Sequence, residues 1–136
     1  VIRVLLETGF LVSLNPKDKN HEWAMDLLKR AKEREIRIFL SPASLVELSL
    51  ILKSKGLSEE GISRALMAME SLITRYARPA FPDLTFEIVS GAAKLRMKYT
   101  QLSFFDSIHA ATALTDDLEY YDLDEVIRDI IRREKR

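Results

Sequence analysis

The chain has 136 residues, enough for one domain with a real core, and 47% of them are apolar, which excludes a disordered polymer. The 21 basic and 21 acidic residues cancel, so no global field draws in nucleic acid and any such binding must be local. There is no cysteine and there are only two histidines, so disulfides and thiolate metal sites are excluded and the strong metal ligands left are carboxylates and imidazole. No apolar run is long enough for a membrane span and no secretory pattern is visible, so a cytoplasmic protein is expected.

Val1 to Glu7 is a short β-prone run suited to a strand covered on both faces of a parallel sheet. Thr8-Gly9 reads as a turn and Phe10 to Leu14 as a short helical turn. A loop over Asn15 to Asn20 leads to a helix from about His21 to Glu35, with Ala24, Leu27, Leu28 and Ala31 facing inward. Ile36 to Leu40 is a second strand. Ser41-Pro42 starts a helix that runs to about Ser54, with Gly56 as its stop signal. Ser58 caps a helix to about Tyr76. Pro79 and Pro82 bracket an extended link, and a helix over about Asp83 to Tyr99 follows. Another helix starts at Ser103, rich in alanine, and the last spans about Leu123 to Arg133, ahead of a frayed tail to Arg136. Strand–helix alternation with no repeat or linker predicts one α/β domain over residues 1–136, with a central, mainly parallel sheet flanked by helices.

Three acids sit in awkward places. Glu7 ends a strand that should be interior, at the carboxyl end where functional groups gather in such sheets. Glu47 shares its helix face with Ala43, Ser44, Leu50 and Ile51. Asp106 lies in a first helical turn between apolar residues. Each has an ordinary explanation: a cap for Glu7, a snorkelling or ion-paired Glu47, and a capping box of Ser103 and Asp106. Together they come from one strand end and two helix starts, which an open α/β fold can bring to one rim. Two carboxylates ~4 Å apart repel by roughly 4 kcal/mol at an effective dielectric near 20. Such a cluster needs a cation or a raised pKa, and a hard divalent ion, Mg²⁺ or Mn²⁺, is the natural occupant. An ion of that kind can bind a phosphate oxygen and activate water, the chemistry of phosphodiester hydrolysis.

These stretches resemble a known family. Glu7-Thr8-Gly9-Phe10-Leu11 is similar to the acid-Thr-Ser motif after the first strand of PIN domains, and Ser41 to Glu47 to their second motif. Leu102 to Ala111 resembles the third, and Thr115-Asp116-Asp117-Leu118-Glu119-Tyr120 the fourth. The nearest branch is the VapC-like toxins of prokaryotic toxin–antitoxin pairs. The resemblance implies a three-layer PIN-like fold and a metal-dependent ribonuclease in which Glu7, Glu47, Asp106 and Asp117 hold Mg²⁺ or Mn²⁺. It implies that Thr8 and Thr115 orient carboxylates or water, with Asp116 and Glu119 as further acids. It also implies an RNA substrate, a small antitoxin partner and a homodimer. The chain departs from the family pattern in two places. Glu7 stands where the family usually has Asp, and Leu114 leads straight into Thr115 where the family places a loop and a buried strand. Either a segment is absent or the helix end takes the strand's place.

His109, three residues beyond Asp106, is either a metal ligand on the Asp106 face or, the more common case, a packed helix residue, and His21 reads as a surface residue. Lys94, Arg96 and Lys98, with Arg75 and Arg78, form either a solvated face or a set of RNA phosphate contacts. Two other functions compete with the nuclease: a catalytically silent PIN-like module that binds RNA or protein, and a phosphoacceptor signalling domain. The latter lacks its acid pair after the first strand and its lysine after a late one.

Overall fold

In a computed structural model, which describes residues 1–135, strand β1 (Ile2–Leu6) runs through the middle of the molecule. Its apolar residues point alternately to opposite faces. Leu5 enters one hydrophobic cluster, while Val4 and Leu6 enter another, and all three are fully buried. This is why the strand reads as a continuous apolar run rather than an alternating one.

Strand β2 (Ile36–Leu40) lies on one side of β1 and the two-residue β3 (Glu119–Tyr120) on the other, giving the order β2-β1-β3 with both pairings parallel. Ile2 to Leu6 pair with Ile36 to Leu40, and Val4 and Leu5 with Glu119 and Tyr120. The outer edge of β2 is closed by Ala80, whose N–H donates to Ile38 and whose carbonyl accepts from Leu40. The extended link predicted between Pro79 and Pro82 therefore protects a sheet edge.

Helices α1 (Thr8–Ser13), α2 (His21–Lys32), α3 (Pro42–Ser54) and α4 (Glu59–Thr74) contribute to the cluster around Phe10, Leu28, Leu48 and Ile73. Helices α5 (Phe86–Lys98), α6 (Phe104–Thr115) and α7 (Glu125–Glu134) build the other, around Ile88, Ala92, Ile108, Ala110, Ile127 and Ile130. Sheet and helices form three layers, and this is the expected PIN-like α/β architecture. No described helix is long and apolar enough to cross a membrane.

Local chemistry sets the helix ends. Thr85 Oγ1 accepts from Ile88 N–H, so α5 begins three residues later than its apolar spacing suggests. Asp124 caps α7 in the same way, accepting from Ile127 N–H. Ser103 caps α6, its hydroxyl accepting from Asp106 N–H at 3.2 Å.

The unexpected element is β3. No strand was legible between α6 and α7, yet Glu119–Tyr120 pair with β1 and Tyr121 N–H donates to Leu5 O. No segment is needed between Leu114 and Thr115, because the strand follows Asp117 instead of preceding Thr115. Arg136 of the predicted frayed tail lies outside the described residues.

Candidate metal centre

Because all three strands are parallel, their carboxyl ends share one rim. Glu7 is the first residue beyond β1, with extended backbone (φ −137°) that turns directly into α1. Its Oε1 accepts from Gly9 N–H at 2.7 Å and so caps that helix. Its own N–H donates at 2.8 Å to Asp122 Oδ2, two residues beyond β3. Phe10 N–H donates to the same oxygen at 3.1 Å, and Leu123 N–H donates to Asp122 Oδ1 at 2.8 Å. Asp122, 1% exposed, thereby ties the end of β3 to the turn after β1. Gly9 leaves room for this: a Cβ there would overlap Asp122 Oδ1 and sit 3.3 Å from Glu7 Oε1. Gly9→Ala is expected to cost about 1–3 kcal/mol through that overlap. A denaturant midpoint equal to the parent's would contradict it.

Glu47, in the second turn of α3, reaches the rim from the β2 side. Thr8 Oγ1 and His109 Nε2 both lie within hydrogen-bond distance of its Oε1, the latter at 2.9 Å. His109 is fully buried on α6. Its Nε2 is also 3.6 Å from Glu7 Oε2, and its Nδ1 is 2.7 Å from Ser41 Oγ, the residue that starts α3. With the proton on Nε2, the ring donates to Glu47 while Nδ1 accepts from the Ser41 hydroxyl. A carboxylate from α3 and an imidazole from α6 are thus locked by residues at the start of α1 and α3.

The charges divide unequally. Burial raises the Glu47 pKa, but the hydrogen bonds from His109 and Thr8 outweigh it, and the carboxyl stays below its ordinary range. Glu7 goes the other way. Burial first, then Asp122, and further Glu47 and Asp106, push it up to about 9 against the pull of the Gly9 N–H. Burial also raises Asp106, with Asp124 and Glu47 adding to it and Ser103 opposing. The rim holds more negative charge than it can neutralise.

One consequence is a pH dependence. Between the unfolded Glu7 value of about 4.5 and the folded value of about 9, only the folded state holds this proton. Glu7's contribution to stability is complete below pH 4.5, falls as pH rises and is lost above about 9. A divalent ion that displaces the proton should flatten the slope. Denaturation of metal-free and ion-saturated protein across pH 5 to 9 checks this, and parallel slopes would contradict it.

Ligand atoms from Glu7, Glu47 and His109 lie within 4.8 Å of one another. Carboxylate oxygens suit a small divalent cation, with His109 Nε2–H engaged on Glu47 rather than free to ligate, and a buried carboxyl that ionises only near pH 9 is what such an ion would relieve. Next to the cluster is an open cleft of about 410 Å³ lined by Glu7, Thr8, Gly9, Asp122 and Asp124 among others.

Of the four acids expected as ligands, the structure brings Glu7, Glu47 and Asp106 to this rim. It does not bring Asp117. Asp117 adopts a left-handed conformation (φ 51°) just after the Asp116 cap of α6, where it ends the helix. It lies eleven positions beyond Asp106, roughly 16 Å at 1.5 Å per helical residue, at the opposite end of α6. Thr115 and Asp116 share that helix end, and Glu119, opposite Val4 in the register, faces Lys135 at 3.9 Å. The acids at the rim that sequence reasoning missed are Asp122 and Asp124. Their signal was Tyr120-Tyr121, a β-prone aromatic pair followed by Asp-Leu-Asp and then an amphipathic helix.

The PIN domain family model matches residues 4–131, from β1 into α7. The chain belongs to the PIN domain family. Its fold is similar to that of Mycobacterium tuberculosis VapC20, described as a sarcin–ricin loop cleaving toxin, with a TM-score of 0.67 and 18% identity over 93% of each chain. No curated protein matches the sequence.

Proposed function

We propose that this PIN domain is a divalent-metal-dependent endoribonuclease that hydrolyses RNA phosphodiester bonds as the toxin of a toxin–antitoxin pair. The observation that carries the reading is the convergence of Glu7, Glu47 and His109 within 4.8 Å beside Asp106, with the Glu7 carboxyl pushed up to about 9. RNA as the substrate is supported by family membership and by the likeness to VapC20. A small antitoxin that blocks the rim, a homodimer and a cytoplasmic site of action belong to the same proposal.

Glu7, Glu47 and Asp106 would hold Mg²⁺ or Mn²⁺. When bound, such an ion would supply polarisation of a phosphodiester oxygen and a more acidic water. The protein's own residues supply the rest. Glu47 is kept ionised by Thr8 and His109. Asp122 fixes the Glu7 backbone by accepting its N–H. Glu7, protonated at neutral pH, would release that proton to solvent on taking up a cation. Asp106, on the first turn of α6, has its carboxyl pushed up by burial, against which the Ser103 hydrogen bond and the helix N-terminus act.

The test is cleavage of a mixed RNA panel by purified protein with Mn²⁺, alongside calorimetric titration of the ion. Metal-dependent cuts that disappear in Asp106→Asn support the nuclease. No ion binding and no cleavage, with partner binding intact, would establish the silent module, which the Glu7 side chain folded onto Gly9 N–H favours.

A further inference from the structure

Phe104 opens α6 two residues before Asp106, and the residue is 57% exposed. The ring is not loose. It stands edge-to-face against Phe105 at a centroid distance of 5.6 Å and an interplanar angle of 88°. The Arg96 guanidinium, from the end of α5, lies 4.8 Å from its centroid. Arg96 is itself anchored, its Nη1 donating at 2.5 Å to the Ser107 hydroxyl, which in turn donates to Phe104 O. Arg96 makes no ion pair with a carboxylate among the described residues. A positively charged plane and an exposed aromatic ring are therefore held together at the end of α6 that carries Asp106.

We infer that Phe104 and Arg96 form a binding lip for one unpaired RNA base and its phosphate, next to the nucleotide that is cut. The inference rests on the ribonuclease reading and adds to it the two residues that hold the flanking nucleotide. A base can stack on an exposed aromatic ring without regard to its identity, and an arginine beside the ring adds a phosphate contact. Stacked bases inside a duplex offer no free face to Phe104. A net charge of zero makes such a local device necessary, because the chain has no global field to hold RNA. The site thus divides its tasks: acids at the rim for the ion, and a ring with a guanidinium for the flanking nucleotide.

The experiment measures anisotropy of a labelled single-stranded RNA, and of the same sequence as a duplex, with Ca²⁺ present to prevent cleavage. The proteins are the parent, Phe104→Ala, Phe104→Trp and Arg96→Gln. Phe104→Ala should weaken single-strand binding about ten-fold, Phe104→Trp should retain it, and the duplex should bind weakly and respond to neither. Equal single-strand binding by parent and Phe104→Ala would overturn the lip. So would a duplex that is equally sensitive, or a parent that binds no RNA. A Phe104→Ala protein that changes from dimer to monomer in light scattering would assign the ring to a subunit interface instead. Mn²⁺ calorimetry and cleavage on the same proteins separate the two readings. Normal ion binding and cleavage with an insensitive Phe104 removes only the lip, while absence of both removes the nuclease.

Discussion

Glu47→Gln is expected to reduce metal-dependent RNA cleavage by about 100-fold or more and to weaken Mn²⁺ binding by at least about ten-fold, with little loss of stability. The amide keeps an oxygen that can accept from Thr8 and His109, so the contacts that hold α3, α1 and α6 together survive. What disappears is a charge. In the parent, those two hydrogen bonds keep Glu47 ionised despite its burial, which gives the rim one dependable anion beside the protonated Glu7. Without it, Glu7 would have to supply the first charge, at the cost of its proton. Calorimetry and a cleavage time course measure both effects, and full activity in Glu47→Gln would place the chemistry elsewhere.

Asp122→Ala is expected to be the most destabilising single change at the rim, by about 3 kcal/mol, because hydrogen bonds to a charged acceptor contribute ~1.5–3 kcal/mol each and buried donors left unpaired are costly. The Asp122 carboxylate accepts from Glu7, Phe10 and Leu123 N–H groups, and the carboxylate is buried, so water cannot replace it easily. Asp122→Asn keeps one acceptor oxygen and should cost less. The order parent, Asn, Ala in urea midpoint at unchanged slope is the expected result. Equal midpoints would mean that the turn after β1 is held by other contacts.

The difference between these two acids shows how far the sequence could be read. Glu47 stood out because its helical face-mates are mostly apolar; the structure buries Ala43 and Ser44 and brings Glu47 to Thr8 and His109, but it leaves Leu50 54% exposed, so only the first half of that face is inside. Glu7 stood out as a charge ending a buried strand, and β1 places it at the sheet's carboxyl rim. Asp122 carried only the faint mark of the aromatic pair Tyr120-Tyr121 before it. Its importance depends on β3, which has two residues and only one buried side chain, Tyr120, so no alternation could reveal it. The strand exists because β1 offers it a free edge, a tertiary fact. Thr115 to Tyr120 offered a motif-like string in its place, but Asp117 there takes a positive φ to end α6. His109 is the packed helix residue its surroundings suggest, fully buried, but its contacts with Glu47 and Ser41 join segments 62 and 68 residues apart, which no helical spacing can reveal.

An anomalous-scattering map from a crystal soaked in Mn²⁺ tests the account most directly. The account predicts a peak coordinated by Glu7 and Glu47, with Asp106 at its margin and none at the Asp116–Asp117 turn. An empty rim beside a well-ordered Glu7 and Glu47, or a peak at Asp117, would contradict it.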